Sequence, residues 1–210
     1  MINFIISNER QSEYPMKISF LASHGGSSAK QIISAIKSQV LVGFEIGVLI
    51  TNNKTTAIYP WCVENGIKVF HISGKTNPEN EDQAIKNALL AAGTDIVVLS
   101  GYMKKIGPQT LAAFSSKILN IHPSLLPLHG GHKMYGDFVH AAVLAAGDKE
   151  SGASVQIINE VYDAGPVLLQ KKVLVSTADT VESLGERVRS VEGELYINAL
   201  KKWQKNAFII

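Results

Sequence analysis

The chain has 210 residues, 46% hydrophobic and 18% charged, a balance that suits one domain with a sizeable core and excludes a disordered or fibrous protein. A formal net charge of +2 is too small to argue for a nucleic-acid partner or an anionic membrane, and the lone cysteine, Cys62, excludes an internal disulfide. Every apolar run is shorter than a membrane span, and the first fifteen residues lack the basic start and small-residue cleavage site of a signal peptide, so a cytoplasmic protein is expected. Met16 stands directly before the first strand; residues 1–15 read as an N-terminal extension and 16–210 as a single domain.

In chain order, Lys17 to Ala22 predicts a strand and Ser23-His24-Gly25-Gly26-Ser27-Ser28 a glycine-rich turn. Ile32, Ile33, Ile36 and Val40 then fall at helical spacing. Phe44 to Ile50 predicts a second strand, Pro60 and Gly66 bracket a helix, and Lys68 to Ile72 gives a third strand. A polar loop leads into an Ala/Leu-rich helix that stops at Gly93, and the apolar run of Asp95 to Leu99 reads as a central strand. Gly107-Pro108 opens a helix to Phe114, Lys117 to Ile121 is a fifth strand, and Val139 to Ala146 is helical. Strands at Ala153 to Asn159 and Val167 to Val175 follow, and Thr180 is placed as the N-cap of a long last helix. This alternation implies an α/β fold: a doubly wound, mostly parallel sheet with helices on both faces. Ligands of such sheets bind at the carboxyl ends of the strands, so Ser23 to Ser28, Tyr102 to Ile106 and Asn120 to His122 should meet at one rim.

At that rim, Gly26, Ser27 and Ser28 offer bare amides at the positive end of a helix, which suits a phosphate. The turn is neither G-x-G-x-x-G nor a P-loop, and it reads equally as a tight strand-to-helix connection. The stretch Ser116 to Pro127, SKILNIHPSLLP, says more. Pro123 holds His122 on extended backbone at a strand end, with Asn120 two residues before it. An isolated Asn-x-His pair is usually a locally bonded turn, and an Asp such as Asp163 in YDAGP ordinarily bonds its own backbone. Eight residues in order, NIHPSLLP, rich in rigid ones, are a different matter.

The run Asn120-Ile121-His122-Pro123-Ser124-Leu125-Leu126-Pro127, with Asp163 in YDAGPVLLQ downstream, resembles the signature of the folate-dependent formyltransferases. The likeness extends over nearly all of residues 17–203. It implies the formyltransferase fold and transfer of a formyl group from 10-formyltetrahydrofolate to the amine of 5'-phosphoribosylglycinamide in purine biosynthesis, with no metal. It implies that Asn120, His122 and Asp163 are catalytic: the Asn amide and the protonated imidazole donate to a developing oxyanion, and the Asp moves the proton directly or through water. A carboxylate there would also favour the protonated ring and hold its orientation. By the same resemblance Gly26, Ser27 and Ser28 grip the substrate phosphate, Glu192 meets the ribose and glycinamide part, and Arg189, one turn back, meets phosphate. Met103, Lys104 and Ile106 line the pteridine pocket.

Three positions depart from the family pattern. His24 stands where Gly is usual, Ser28 where Asn or Thr is usual, and Lys104 replaces an Arg, which turns a planar fork into a point charge. Gly130 to Gly136 resembles a GGxGMYG insertion of one subgroup; it, His24, His132 and His140 are left without a role. Two rivals stand beside this reading. A formyltransferase acting on a sugar-nucleotide amine would share the fold and the donor site. A non-catalytic nucleotide-binding α/β domain would use the glycine-rich turn but would not need Asn120, His122 and Asp163 together. Formyltransferases of tRNA and formyltetrahydrofolate deformylases carry further domains for which the sequence leaves no room, and neither is expected. Small molecules are the expected partners, with no nucleic acid and no membrane, in a monomer or a homodimer.

Overall fold

Alternating apolar runs and amphipathic helices give seven strands and six helices in the computed structural model, which describes residues 14–206. Residues 1–13 of the predicted extension lie outside the described residues. The strands are β1 (Met16–Ala22), β2 (Phe44–Thr51), β3 (Val69–His71), β4 (Ile96–Leu99), β5 (Ile118–His122), β6 (Glu150–Ile157) and β7 (Val167–Leu174). They form one sheet in the order β3-β2-β1-β4-β5-β6-β7. β1 to β5 are parallel, and β6 and β7 close the edge antiparallel, as a mostly parallel sheet requires. The predicted central strand is β4, held between β1 and β5.

The helices are α1 (Ser27–Lys37), α2 (Ile58–Glu64), α3 (Glu81–Ala91), α4 (Pro108–Ala113), α5 (Asp137–Ala146) and α6 (Val181–Asn206). Side chains alternate across each strand, and this sorts the core into two layers. Ile18, Phe20, Ile96, Val98 and Leu119 point to a face covered by α1, α2, α5 and α6, while Leu21, Val97, Leu99 and Ile118 point to the face covered by α3 and α4. Thr180 does cap α6: its Oγ1 accepts the Ser183 amide at 3.2 Å while Ser183 Oγ accepts the Thr180 amide at 3.0 Å.

Two details escaped the sequence pattern. β6 starts at Glu150, ahead of the expected Ala153, because Glu150, Ser151 and Gly152 gain their order from pairing with Leu174, Val173 and Lys172 of β7. In β1 the register against β2 shifts between Ile18 and Phe20, and the hydroxyl of buried Ser19 accepts the Val48 amide at 3.1 Å where the ladder breaks. Both are long-range effects that local pattern does not carry.

Candidate active site

Parallel strands bring the ends of β1, β4 and β5 to one rim, and side-chain hydrogen bonds fasten the loops that follow them. Ser23 Oγ accepts the Met103 amide at 2.9 Å, and Ser100 Oγ accepts the Ala29 amide at 3.0 Å. The α1 turn and the loop after β4 are thus one unit. Gly26 adopts φ +61° as the N-cap of α1, and a Cβ there would meet the buried Ile58 side chain at 2.6 Å. The glycine is therefore fixed by backbone conformation and by α2 packing, whatever ligand the turn takes. Ser27 is exposed and Ser28 buried. Among the described residues no carbonyl or side chain takes the amides of Gly26, Ser27 or Ser28, which leaves donors at the positive end of an eleven-residue helix.

Asn120 and His122 are two apart on β5 and so leave the same face, opposite Gln156 and Ser154 of β6. Gln156 is buried, and its Nε2 donates to Asp163 Oδ1 at 2.7 Å. The Gly131 amide donates to Asp163 Oδ2 at 2.9 Å, and the same oxygen lies 3.4 Å from His122 Nδ1. Asp163 itself sits at φ +54°, in the left-handed region that Asp tolerates better than most residues. Its turn needs glycine at 165, because a Cβ there would run into the Ile157 carbonyl. His122 Nε2 is 2.8 Å from the His129 carbonyl, so Nε2 must carry a proton and Nδ1 is the nitrogen that faces Asp163. Of the three residues predicted as a unit, His122 and Asp163 face each other, and Asn120 shares a cleft wall with Asp163.

An open cleft runs from this cluster along the loop after β4. Leu99, Tyr102, Ile106, Ile158 and Val161 give it apolar walls; Asn120 and Asp163 supply polar groups, and Lys104, Lys105 and Glu160 the charges. Ile106, expected in the donor pocket, is part of this apolar wall. Met103 is 50% exposed and outside the lining, and its backbone amide donates to Ser23 Oγ. Lys104 lines the cleft, but its ammonium is held by Glu81 at 2.7 Å, so its charge is already matched. The partner Glu81, on α3, lies far away in sequence and could not be read from the motif.

α6 passes behind the rim. Buried Tyr196 shares its hydroxyl proton between the carbonyls of Leu119 (2.8 Å) and Leu99 (3.1 Å), pinning the helix to β4 and β5. Glu192, one turn before it, has its carboxyl pushed up to about 7 by burial, with Arg189 opposing the shift. Arg189 is exposed, its guanidinium folded back beside Gly185 and within electrostatic reach of His140 and Glu192. Burial and the positive Arg189 push buried His140 below the usual imidazole range, against the pull of Asp137, and its Nδ1 has no partner among the described residues. Glu192 yields a pH prediction. A carboxyl raised on folding binds more protons in the folded than in the unfolded state between pH 4.5 and about 7, so the stability it contributes is complete below that window and lost as pH rises through it. Glu192→Gln should therefore gain in melting temperature relative to the wild type between about pH 5 and pH 8; a constant difference would mean the carboxyl is not buried as described.

Gln156, the Gly131 amide and the His129 carbonyl were not foreseen. Gln156 left one trace, a polar residue at an inward position of β6, seven before Asp163. The other two are backbone groups, invisible in side-chain pattern. Among the described residues no three His, Cys, Asp or Glu side chains gather as a metal site, and no helix is long and apolar enough to cross a membrane.

A mostly parallel sheet with an antiparallel edge, an Asn-x-His strand end whose His faces an Asp, and a helix N-terminus with free amides define an α/β domain with its polar groups gathered at the strand ends. The chain belongs to the formyl transferase family, whose model matches residues 16–200. It is 36% identical over 188 residues to the chloroplastic phosphoribosylglycinamide formyltransferase of Arabidopsis thaliana, covering 88% of this chain and 64% of that one. It is 33% identical over 184 residues to the Escherichia coli phosphoribosylglycinamide formyltransferase, covering 86% and 84%. The crystal structure of the Bacillus halodurans phosphoribosylglycinamide formyltransferase superposes with a TM-score of 0.82 at 31% identity, over 91% of this chain and 96% of that one. The chain spans less than two thirds of the length of the first curated relatives it matches.

Proposed function

We propose that the protein transfers the formyl group of 10-formyltetrahydrofolate to the primary amine of 5'-phosphoribosylglycinamide, in purine biosynthesis. The observation that carries this is the meeting of Asn120 and Asp163 in the wall of one cleft, with His122 buried against Asp163. The activity named for the similar proteins above supports it. The single cysteine supports a cytoplasmic protein; Cys62 is buried, and burial pushes its thiol up to about 11, so it is inert.

The donor fits the cleft: a flat, partly polar ring suits walls of Leu99, Tyr102, Ile106 and Ile158 with polar groups at Asn120 and Asp163. Bound there, it supplies an activated formyl carbon. The Asn120 amide then donates to the charge that develops on the formyl oxygen as the acceptor amine adds. His122, its Nε2 proton fixed on the His129 carbonyl, presents a second proton at Nδ1 on the Asp163 side when the ring is charged. As the new C–N bond forms and the old one breaks, the amine loses a proton and the donor nitrogen gains one. Asp163 is the base that carries it, directly or through water. Gln156 and the Gly131 amide hold that carboxylate to its task.

The acceptor phosphate is assigned to Gly26, Ser27 and Ser28, with Glu192 toward the ribose and the glycinamide. Ser27→Asp tests it. Ser27 is exposed, and a carboxylate in the first turn of α1 favours the helix, so folding should not suffer. Against a phosphate the same charge repels: like charges ~4 Å apart near a surface oppose each other by roughly 4 kcal/mol before screening, so KM for the phosphorylated amine should rise more than about tenfold. KM for the folate should stay put. An unchanged acceptor KM would remove the phosphate from this turn and favour a different amine.

A further inference from the structure

His129 joins two contacts in one residue. Its carbonyl takes the Nε2 proton of His122 at 2.8 Å, while its own Nε2 lies 2.7 Å from Asp148 Oδ2. The turn leading to it is pinned residue by residue: Ser154 Oγ donates to the Ser124 carbonyl, the Leu126 amide donates to Ser154 Oγ, and Ser124 Oγ donates to the Leu128 carbonyl. Those bonds stop at Leu128, which is 59% exposed. Beyond it His129 stands at φ +51°, a conformation that a non-glycine residue keeps only when its surroundings hold it. Among the described residues the side-chain tie that does so is the one to Asp148, which follows the left-handed Gly147 cap of α5 and precedes β6. The pair is partly shielded, with side chains 18% and 33% exposed.

We propose that Asp148, acting through His129, is a positioning residue for His122. The hydrogen bond between them sets the residue-129 carbonyl where it accepts the Nε2 proton, and this leaves the Nδ1 edge of the ring turned to Asp163. Without that carbonyl the imidazole is free to turn about its terminal bond and bring a carbon where Nδ1 now lies. Among the described residues Asp148 makes no hydrogen bond to His122 and is not part of the cleft lining, so its effect runs through His129 to the ring's orientation. The consequence for turnover rests on the reading of His122 as a donor in formyl transfer; the consequence for the ring does not.

The experiment uses the full chain carrying Asp148→Ala, Asp148→Asn or His129→Asn. The His122 Nε2 proton is followed by NMR without substrate and assigned by its loss in His122→Gln, and kcat and both KM values are measured beside it. In Asp148→Ala the resonance should shift or broaden away, and kcat should fall roughly tenfold, the scale on which small misplacements act, with both KM values within about twofold. Asp148→Asn keeps an oxygen for the His129 proton and should restore both readouts. His129→Asn tolerates the left-handed backbone but loses the tie, and should repeat the Ala result even if Asp148→Ala does not fold. An unmoved resonance in Asp148→Ala or His129→Asn overturns the proposal, as does a kcat loss that the Asn variant fails to rescue. A wild-type protein that transfers no formyl group would sink the functional reading instead and leave the resonance to decide this one.

Discussion

Replacing Asn120 with Ala is expected to cut turnover by about 10²- to 10³-fold, the usual consequence of losing a donor to a developing oxyanion, and His122→Ala, which removes the ring that faces Asp163, should cost a similar factor. The two differ in what else they damage. Asn120 is half-buried, and its loss should leave stability nearly unchanged. His122 is 3% exposed and is the partner of the His129 carbonyl, so its removal strands a part-buried acceptor and leaves a cavity, at a cost of at least about 1 kcal/mol. Urea denaturation separates that cost from the chemistry. Either variant retaining near-full turnover would mean that the strand end is structural and that the nucleotide-binding rival is the better account.

Asp163→Asn should be the most severe single change, with a kcat loss of about 10²- to 10⁴-fold, the range that a positioned acid–base group contributes. The substitution keeps the shape but not the hydrogen bonds. Both carboxylate oxygens accept from fixed donors, Oδ1 from Gln156 Nε2 and Oδ2 from the Gly131 amide, so an Asn must turn its own NH₂ against one of them. Removing His122 as well should add little, because groups that act as one unit are not additive. Losses that multiplied in the His122→Ala, Asp163→Asn double variant would show two independent roles and contradict the cluster. Single-turnover kinetics read the chemical step and keep substrate affinity out of the comparison.

The elements that build this site were largely legible, because short apolar runs broken by glycine and proline alternate with helical spacing, and a continuous apolar run marked β4 as central; the strand order was not. Asn120 and His122 were legible for a simpler reason: they are close in sequence, on a strand stiffened by Pro123. Asp163 was found through its motif, although the motif says nothing of what holds the carboxylate. That is done by Gln156, by a glycine amide in the Gly130–Gly136 segment, and by a backbone twist at Asp163 itself. None of these is a local signal. The Gly130–Gly136 segment, left without a role by sequence, thus gains one. Met103 and Lys104 were placed by analogy, and the bonds they make, from the Met103 amide to Ser23 and from the Lys104 ammonium to Glu81, reach elements 80 and 23 residues away and leave no local signal either.

The central claim is tested most directly by incubating the purified protein with 10-formyltetrahydrofolate and a panel of amines, following the absorbance change as the folate loses its formyl group. The account predicts turnover that depends on the amine, with 5'-phosphoribosylglycinamide the preferred acceptor and one formylated product per folate consumed. Preference for a sugar-nucleotide amine would contradict the acceptor assignment, and folate consumed equally without any amine, or not at all, would contradict formyl transfer itself.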